Sequence, residues 1–132
     1  MRYIEIYFEN SKSRRGLHRR RRIALKICGD KISEIEGERI DIKPTYVIGD
    51  AYMIRASLER GCYVAQIDLK MNIKKRVFGY IYIYNENGEM ILKMKYRKLK
   101  FKLIFGDVTY RNVFLKIVDY LKIPYKNINW RT

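Results

Sequence analysis

Apolar and polar residues alternate along most of the first hundred positions of the chain. Because successive side chains of a β-strand point to opposite faces of a sheet, this alternation indicates strands with one buried face. For residues 50 to 60 a helix is the alternative interpretation. The pattern predicts nine strands, which cover residues 2 to 9, 23 to 27, 31 to 36, 40 to 42, 52 to 58, 63 to 71, 76 to 84, 89 to 97 and 99 to 105.

Short pairs of turn-forming residues separate several of these segments. Asparagine and glycine tolerate the positive φ angles that tight hairpins require, so such pairs indicate reversals of the chain. The predicted turns are Gly29-Asp30, Arg60-Gly61 and Asn87-Gly88, the last being the clearest hairpin signal.

The period changes near the C-terminus, where apolar residues recur at intervals of three and four. This spacing predicts an amphipathic helix over residues 107 to 122, with Asp107 or Thr109 as its cap and Pro124 just past its end. The apolar stripe consists of Tyr110, Val113, Phe114, Ile117, Val118 and Leu121.

Together these elements predict an α+β fold that is mainly β. We expect a single β-rich domain over residues 1–132, because one hydrophobic core can stabilise a chain of this length. The expected architecture is an antiparallel meander of about seven to nine strands, curled into a barrel or a sandwich, with the C-terminal helix packed on it.

Charge is distributed unevenly along this basic chain. Twenty-nine Lys and Arg against fourteen Asp and Glu give a net charge of +15. Residues 11 to 22 contribute +7 and residues 71 to 105 another +7, whereas residues 30 to 59 contribute −3. A charge this large shapes which partners the protein attracts, and polyanions are the first expectation.

The first basic segment is predicted to be an exposed loop or arm over residues 11 to 22. Arginine's planar guanidinium suits phosphate oxygens, so this arm could follow a nucleic-acid backbone. The alternative is a solvated loop balanced by the acidic region of the same chain or of a second subunit. Its cations are Lys12, Arg14, Arg15, Arg19, Arg20, Arg21 and Arg22.

The second basic segment is a ladder of cations along two consecutive strands. After Tyr96 the apolar residues move from even to odd positions, so a bulge or a tight bend is expected near Arg97-Lys98. This change of phase keeps the basic side chains on one polar face. The ladder comprises Lys93, Lys95, Arg97, Lys98, Lys100 and Lys102.

An aromatic stripe stands on the strand before this ladder. Phe78, Tyr80, Tyr82 and Tyr84 share one face of that strand, and exposed aromatic rings beside cations form a platform on which nucleic-acid bases can stack, with the three tyrosines as the stacking candidates. The alternative is that the same rings form a second core layer.

A less favoured interpretation is a metal-dependent nuclease. Asp50 followed at a distance by Asp68 and Lys70 resembles the carboxylate and lysine pattern of the PD-(D/E)xK nucleases. In that family two carboxylates hold a divalent cation and a lysine assists the attacking water. Three departures weaken the resemblance. Gly49 stands where a proline is expected, no clear helix precedes Asp50, and a β-hairpin follows where a helix is expected.

Other sequence features indicate neither a cofactor nor a metal site. Cys28 and Cys62 are too few for a disulfide framework, so two half-buried strand thiols in a reducing, cytoplasmic setting are expected. No stretch reads as a signal peptide or a membrane span. Abundant Lys, Arg, Ile and Tyr beside one glutamine is compatible with a thermophilic source, although an AT-rich genome gives the same bias.

The sequence therefore predicts a non-catalytic protein that binds DNA or RNA through largely sequence-independent phosphate contacts. The alternatives are a structural or adaptor protein that docks on an acidic protein surface or assembles as a homo-oligomer, and a protein that binds anionic membrane surfaces.

Overall fold

The computed structural model describes residues 9–13, 16–34, 43–48, 51–55 and 60–132, with side chains from 23–34 and 60–132. Residues 2 to 8 of the first predicted strand and the strand at 40 to 42 lie outside this range. The strands are β1 (Glu9–Ser13), β2 (Gly16–Cys28), β3 (Lys31–Glu34), β4 (Lys43–Ile48), β5 (Ala51–Arg55), β6 (Cys62–Met71), β7 (Val77–Tyr84), β8 (Met90–Arg97), β9 (Lys100–Gly106) and β10 (Asn127–Asn129). A 3₁₀ turn (Val108–Tyr110) leads into the helix α1 (Arg111–Leu121).

Eight of the described strands form one sheet in the order β1, β2, β6, β7, β8, β9 and β10, with β3 beside the second half of β2. All pairs are antiparallel except β9 with β10, which is parallel. β4 and β5 form a separate two-stranded pair. The mainly β prediction with one C-terminal helix is confirmed, and the eight-stranded sheet is open and does not close into a barrel.

The predicted turns have different outcomes. Asn87-Gly88 lies between β7 and β8, which pair as a hairpin as predicted. The change of phase after Tyr96 is a two-residue turn, Lys98-Leu99, between β8 and β9. A turn is present at Arg60-Gly61, but the predicted hairpin is wrong because β5 pairs with β4, and β6 pairs with β2 and β7.

The hydrophobic core lies between one face of the sheet and α1. Branched aliphatic side chains such as Leu25, Ile67 and Ile81 are fully buried on the sheet, and the helix stripe predicted from the sequence meets them through Phe114 and Ile117. The side chain of Asp107 accepts a hydrogen bond from the backbone N–H of Thr109 at 3.0 Å and so caps the 3₁₀ turn. No helix in the described part of the chain is long and apolar enough to span a bilayer.

The opposite face of the central strands is also buried over part of its area. Tyr82 and Tyr84 form a second buried cluster on β7, with Tyr80 and Met90 packed against it. Asp68 on the neighbouring strand β6 is only 9% exposed. Both faces of the central strands are therefore buried toward the end of β7 at Tyr84.

The two cysteines form a disulfide, contrary to the expectation of free thiols. Cys28 and Cys62 lie directly opposite each other in the register of β2 and β6, with their Cα atoms 4.4 Å apart. That separation is within the range that a disulfide can bridge. Because spacing along the chain says nothing about cross-strand register, the sequence could not predict this bond, and cysteine usage no longer argues for a reducing compartment.

Reduction of this disulfide is expected to lower the free energy of unfolding by about 4 kcal/mol. The bond closes a loop with a sequence separation of 34 residues, and its loss restores that loop's conformational freedom to the unfolded chain. Denaturant unfolding of fully reduced and oxidised protein measures the difference. A Cys28→Ala/Cys62→Ala variant serves as the control, since its stability should not respond to reductant. Equal unfolding midpoints for reduced and oxidised wild-type protein would contradict this expectation.

Candidate functional site

Basic side chains are concentrated at one end of the sheet. β6 and β8 end, and β7 and β9 begin, at the same end, which we call the groove end. The turns there carry Lys74, Lys75, Arg76 and Lys98, and Lys126 precedes β10 at the same end. At the opposite end the turns carry both signs of charge. The carboxylates there are Asp30, Glu86, Glu89 and Asp107, Arg60 is a cation in the turn before β6, and Lys116 of α1 pairs with Asp30 at 3.2 Å.

A concave surface with a volume of about 1060 Å³ opens at the groove end, and we call it the basic groove. Two turns and the adjoining parts of β7 and β8 form its walls. Of the described residues that line it, seven are Lys or Arg and none is Asp or Glu. The lining consists of Asn72, Ile73, Lys74, Lys75, Arg76, Val77, Phe78, Gly79, Tyr80, Lys95, Tyr96, Arg97, Lys98, Leu99 and Lys126.

The cationic ladder is present on β8 and β9 as expected, and the register places like charges opposite each other. Lys95 lies opposite Lys102, and Arg97 lies opposite Lys100. Directly opposed like charges destabilise a sheet. A negatively charged ligand would relieve this repulsion. Lys95, Arg97 and Lys98 line the basic groove, whereas Lys93, Lys100 and Lys102 do not.

Four cations of the basic groove are absent from the candidate residues chosen from the sequence. Lys74, Lys75 and Arg76 are consecutive and stand between two alternating segments, so a basic hairpin turn was detectable as a signal. Lys126 carries no such signal, because it reaches the groove only through the parallel pairing of β10 with β9.

The segment predicted as an exposed loop over residues 11 to 22 lies mostly in two paired strands. β1 pairs with the first half of β2, and Arg19 to Arg22 of β2 pair with Met71 to Asp68 of β6. The loop prediction was wrong because a run of four arginines has no alternation that would indicate a strand. In the structure Arg19 and Arg20 pair with both β1 and β6, and Arg21 and Arg22 pair with β6. Arg14 and Arg15 lie outside the described residues.

The register also fixes where this basic segment lies. Arg19 is opposite Met71, the last residue of β6, so Gly16 to His18 continue past β6 at the groove end. These residues pair with Ser11 to Ser13 of β1. The two basic segments, which are far apart in the sequence, therefore reach the same end of the sheet.

The aromatic stripe is divided between the second core cluster and the basic groove. Tyr84 is 1% exposed and Tyr82 is also buried, so these two rings cannot stack on an external base and the core interpretation holds for them. Tyr80 is half-buried and lines the groove. The ammonium of Lys93 lies over the Tyr80 ring, 4.9 Å from its centroid. This cation–π contact holds the ring in place.

Backbone strain is concentrated beside the groove. Lys75, Lys98 and Leu99 have φ angles of 60°, 52° and 62°, a region that side chains with a Cβ disfavour by about 1 kcal/mol or more each. The two-residue turn at Lys98-Leu99 needs positive φ at both positions and usually contains Asn-Gly. The backbone N–H of Lys126 donates a 2.7 Å hydrogen bond to the carbonyl oxygen of Leu99 and supports this turn.

The nuclease candidates do not assemble into a metal site in the described part of the chain. Asp68 is buried on β6 between β2 and β7, where it faces Arg22 and Tyr80 in the register, and Lys70 is two residues further along the same strand. Asp50 lies outside the described residues. No group of three or more His, Cys, Asp or Glu side chains among the described residues could hold an ion.

Comparison with known proteins adds no family assignment. No protein-family model matches the chain, and neither a curated protein nor a solved structure matches it. The function must therefore be argued from the geometry and the charge of the basic groove.

Proposed function

We propose that this protein binds nucleic acid without catalysing a reaction on it, through largely sequence-independent contacts to phosphates. The observation that carries the proposal is the basic groove, where seven cations and no carboxylate line one concave surface among the residues whose side chains the structure describes. Phosphate contacts from Lys and Arg supply most of the affinity of such proteins and carry no direct sequence information.

The electrostatic arrangement supports a long polyanion over a small one. The ladder continues beyond the groove to Lys100 and Lys102, and the backbone of the β1–β2 hairpin reaches the same end of the sheet. One small anion would neutralise only part of this surface. A phosphodiester backbone carries regularly repeated charges, so it can relieve the repulsion along the whole basic end.

The proposal includes the cellular compartment in which the protein acts. A disulfide is unusual inside most cells, but intracellular proteins of hyperthermophiles are rich in disulfides. We therefore propose an intracellular, thermophilic setting, in which the Cys28–Cys62 bond and the high content of charged residues both stabilise the fold.

The direct test is a titration of labelled DNA and RNA with the protein over a series of salt concentrations. Affinity should fall linearly on a logarithmic plot, with a slope of about −0.7 per phosphate contacted on single strands and −0.9 on duplex DNA. If about five groove cations contact phosphates, a single-strand slope near −3.5 is expected. Fluorescence anisotropy gives the dissociation constants, and absence of binding to every nucleic acid at low salt would refute the proposal.

Rival partners serve as further probes in the same assay. Vesicles of anionic lipid and an acidic protein should compete weakly against nucleic acid. In a separate measurement, light scattering should show that the mass of the protein is independent of salt. Tighter binding to the vesicles would favour the membrane alternative. Tighter binding to the acidic protein, or an oligomer that dissociates in salt and does not bind nucleic acid, would favour the adaptor alternative. Incubation with magnesium should leave the length of the nucleic acid unchanged.

A further inference from the structure

The basic groove also presents apolar side chains to solvent, which phosphate binding alone does not require. Ile73 is 78% exposed and is the most exposed of the large hydrophobic residues that the structure describes. Leu99 is 38% exposed at the tip of the turn between β8 and β9. Each lies beside cations, Ile73 next to Lys74 and Leu99 next to Lys98. Apolar surface displayed among cations indicates a ligand that carries both charge and apolar faces.

Aromatic side chains of β7 lie between these two turns. Phe78 and Tyr80 are half-buried, line the groove and point to the same face of the strand. The ring of Tyr80 is held in place by Tyr82, whose centroid is 6.0 Å away, and by Lys93. A ring fixed in this way loses little conformational freedom when a planar ligand stacks against it.

The conformation of both turns is unusual for the residues that form them. Three of the four non-glycine residues with positive φ in the described chain, Lys75, Lys98 and Leu99, line the basic groove. Glycine or asparagine would relieve this strain, yet a leucine occupies the tip. Strain of this kind is commonly retained where a side chain has a functional task.

We propose that the basic groove binds single-stranded nucleic acid, with phosphates on the groove cations and unstacked bases against Ile73, Leu99 and the β7 aromatics. In a duplex the base faces are hidden in the stack, so the apolar turns would gain little from it. A single strand exposes both its base faces and its phosphates, and aromatic platforms in basic grooves bind it by this combination. This inference rests on the proposed function and specifies its ligand.

The first experiment compares four probes at one salt concentration. Single-stranded DNA and single-stranded RNA of about a dozen nucleotides should each bind at least roughly tenfold more tightly than a duplex of the same length. Inorganic polyphosphate, which has the charge but no bases, should compete as weakly as the duplex. A difference between the DNA and RNA arms would identify the natural strand.

The second experiment removes the apolar side chains without changing the net charge. In Ile73→Ser/Leu99→Asn, the asparagine suits the φ of 62° at position 99, so the fold should be retained and thermal unfolding checks this. Affinity for single strands should fall about tenfold with an unchanged salt slope, because the phosphate contacts remain. Duplex and polyphosphate binding should not change.

The matched control is Ile104→Ser/Val108→Asn, which removes two exposed apolar side chains outside the basic groove and should leave single-strand affinity unchanged. Duplex binding as tight as single-strand binding would overturn this inference and leave the proposed function standing. Full single-strand affinity in the groove variant would do the same. Absence of binding to every nucleic acid would overturn both proposals.

Discussion

Reversing three charges of the basic groove is expected to reduce nucleic-acid affinity by about 1000-fold or more. The variant Lys74→Glu/Arg76→Glu/Arg97→Glu removes three exposed cations that line the groove and replaces them with carboxylates. Each lost contact involves a charge-assisted hydrogen bond, whose removal costs about 1.5 to 3 kcal/mol. The salt slope for single strands should also become shallower by about 2, because three phosphate contacts disappear. Anisotropy titrations over a salt series measure both quantities.

A control with the same net charge separates the groove from the overall charge of the protein. Lys31, Arg111 and Arg131 are exposed cations outside the groove lining. Three substitutions to Glu lower the net charge by six, so both this control and the groove variant change from +15 to +9. The control should weaken binding only a few-fold. Equal losses in the two variants would show that net charge alone attracts nucleic acid and that the groove is not the site.

Replacement of Phe114 by alanine is expected to lower the free energy of unfolding by about 3 to 5 kcal/mol. Phe114 is fully buried on α1, and its ring meets those of Phe101 and Trp130 edge to face at centroid distances of 5.0 Å and 5.6 Å. Alanine would leave a cavity where the helix, β9 and the C-terminal segment meet. Chemical denaturation followed by circular dichroism measures the loss.

Tyr120 provides the comparison for this substitution. It is an aromatic residue of the same helix and is 46% exposed, so Tyr120→Ala removes a ring without opening a cavity in the core. Its cost should remain below about 1 kcal/mol. Similar losses for the two variants would mean that α1 does not anchor the core through Phe114.

Local sequence patterns predicted the individual elements because local physics dominates them. Strand alternation and the spacing of the helix stripe reflect which face of an element is buried, and Asn87-Gly88 reflects the φ angles of a tight hairpin. Each of these patterns depends only on residues that are close together in the sequence. The arginine strand of β2 escaped detection because residues 19 to 22 all carry the same charge and show no face.

Pairing between distant segments could not be predicted in the same way. Alternation on β5 and β6 is compatible with a hairpin between them, yet β6 lies between β2 and β7. The choice depends on which apolar faces form a common core with α1, and that is a property of the whole chain. The Cys28–Cys62 disulfide and the burial of Tyr82 and Tyr84 follow from the same arrangement.

The candidate site also combines features that the sequence shows with features that only the fold creates. The sequence by itself determined that the protein is strongly basic and mainly β, with one amphipathic helix after the sheet strands, because charge and periodicity can be read from the residues directly. Only the tertiary structure decided that the two turns and Lys126 form one groove with exposed Ile73 and Leu99. The physical reason is that strand register, which long-range packing sets, decides which side chains meet at an end of the sheet.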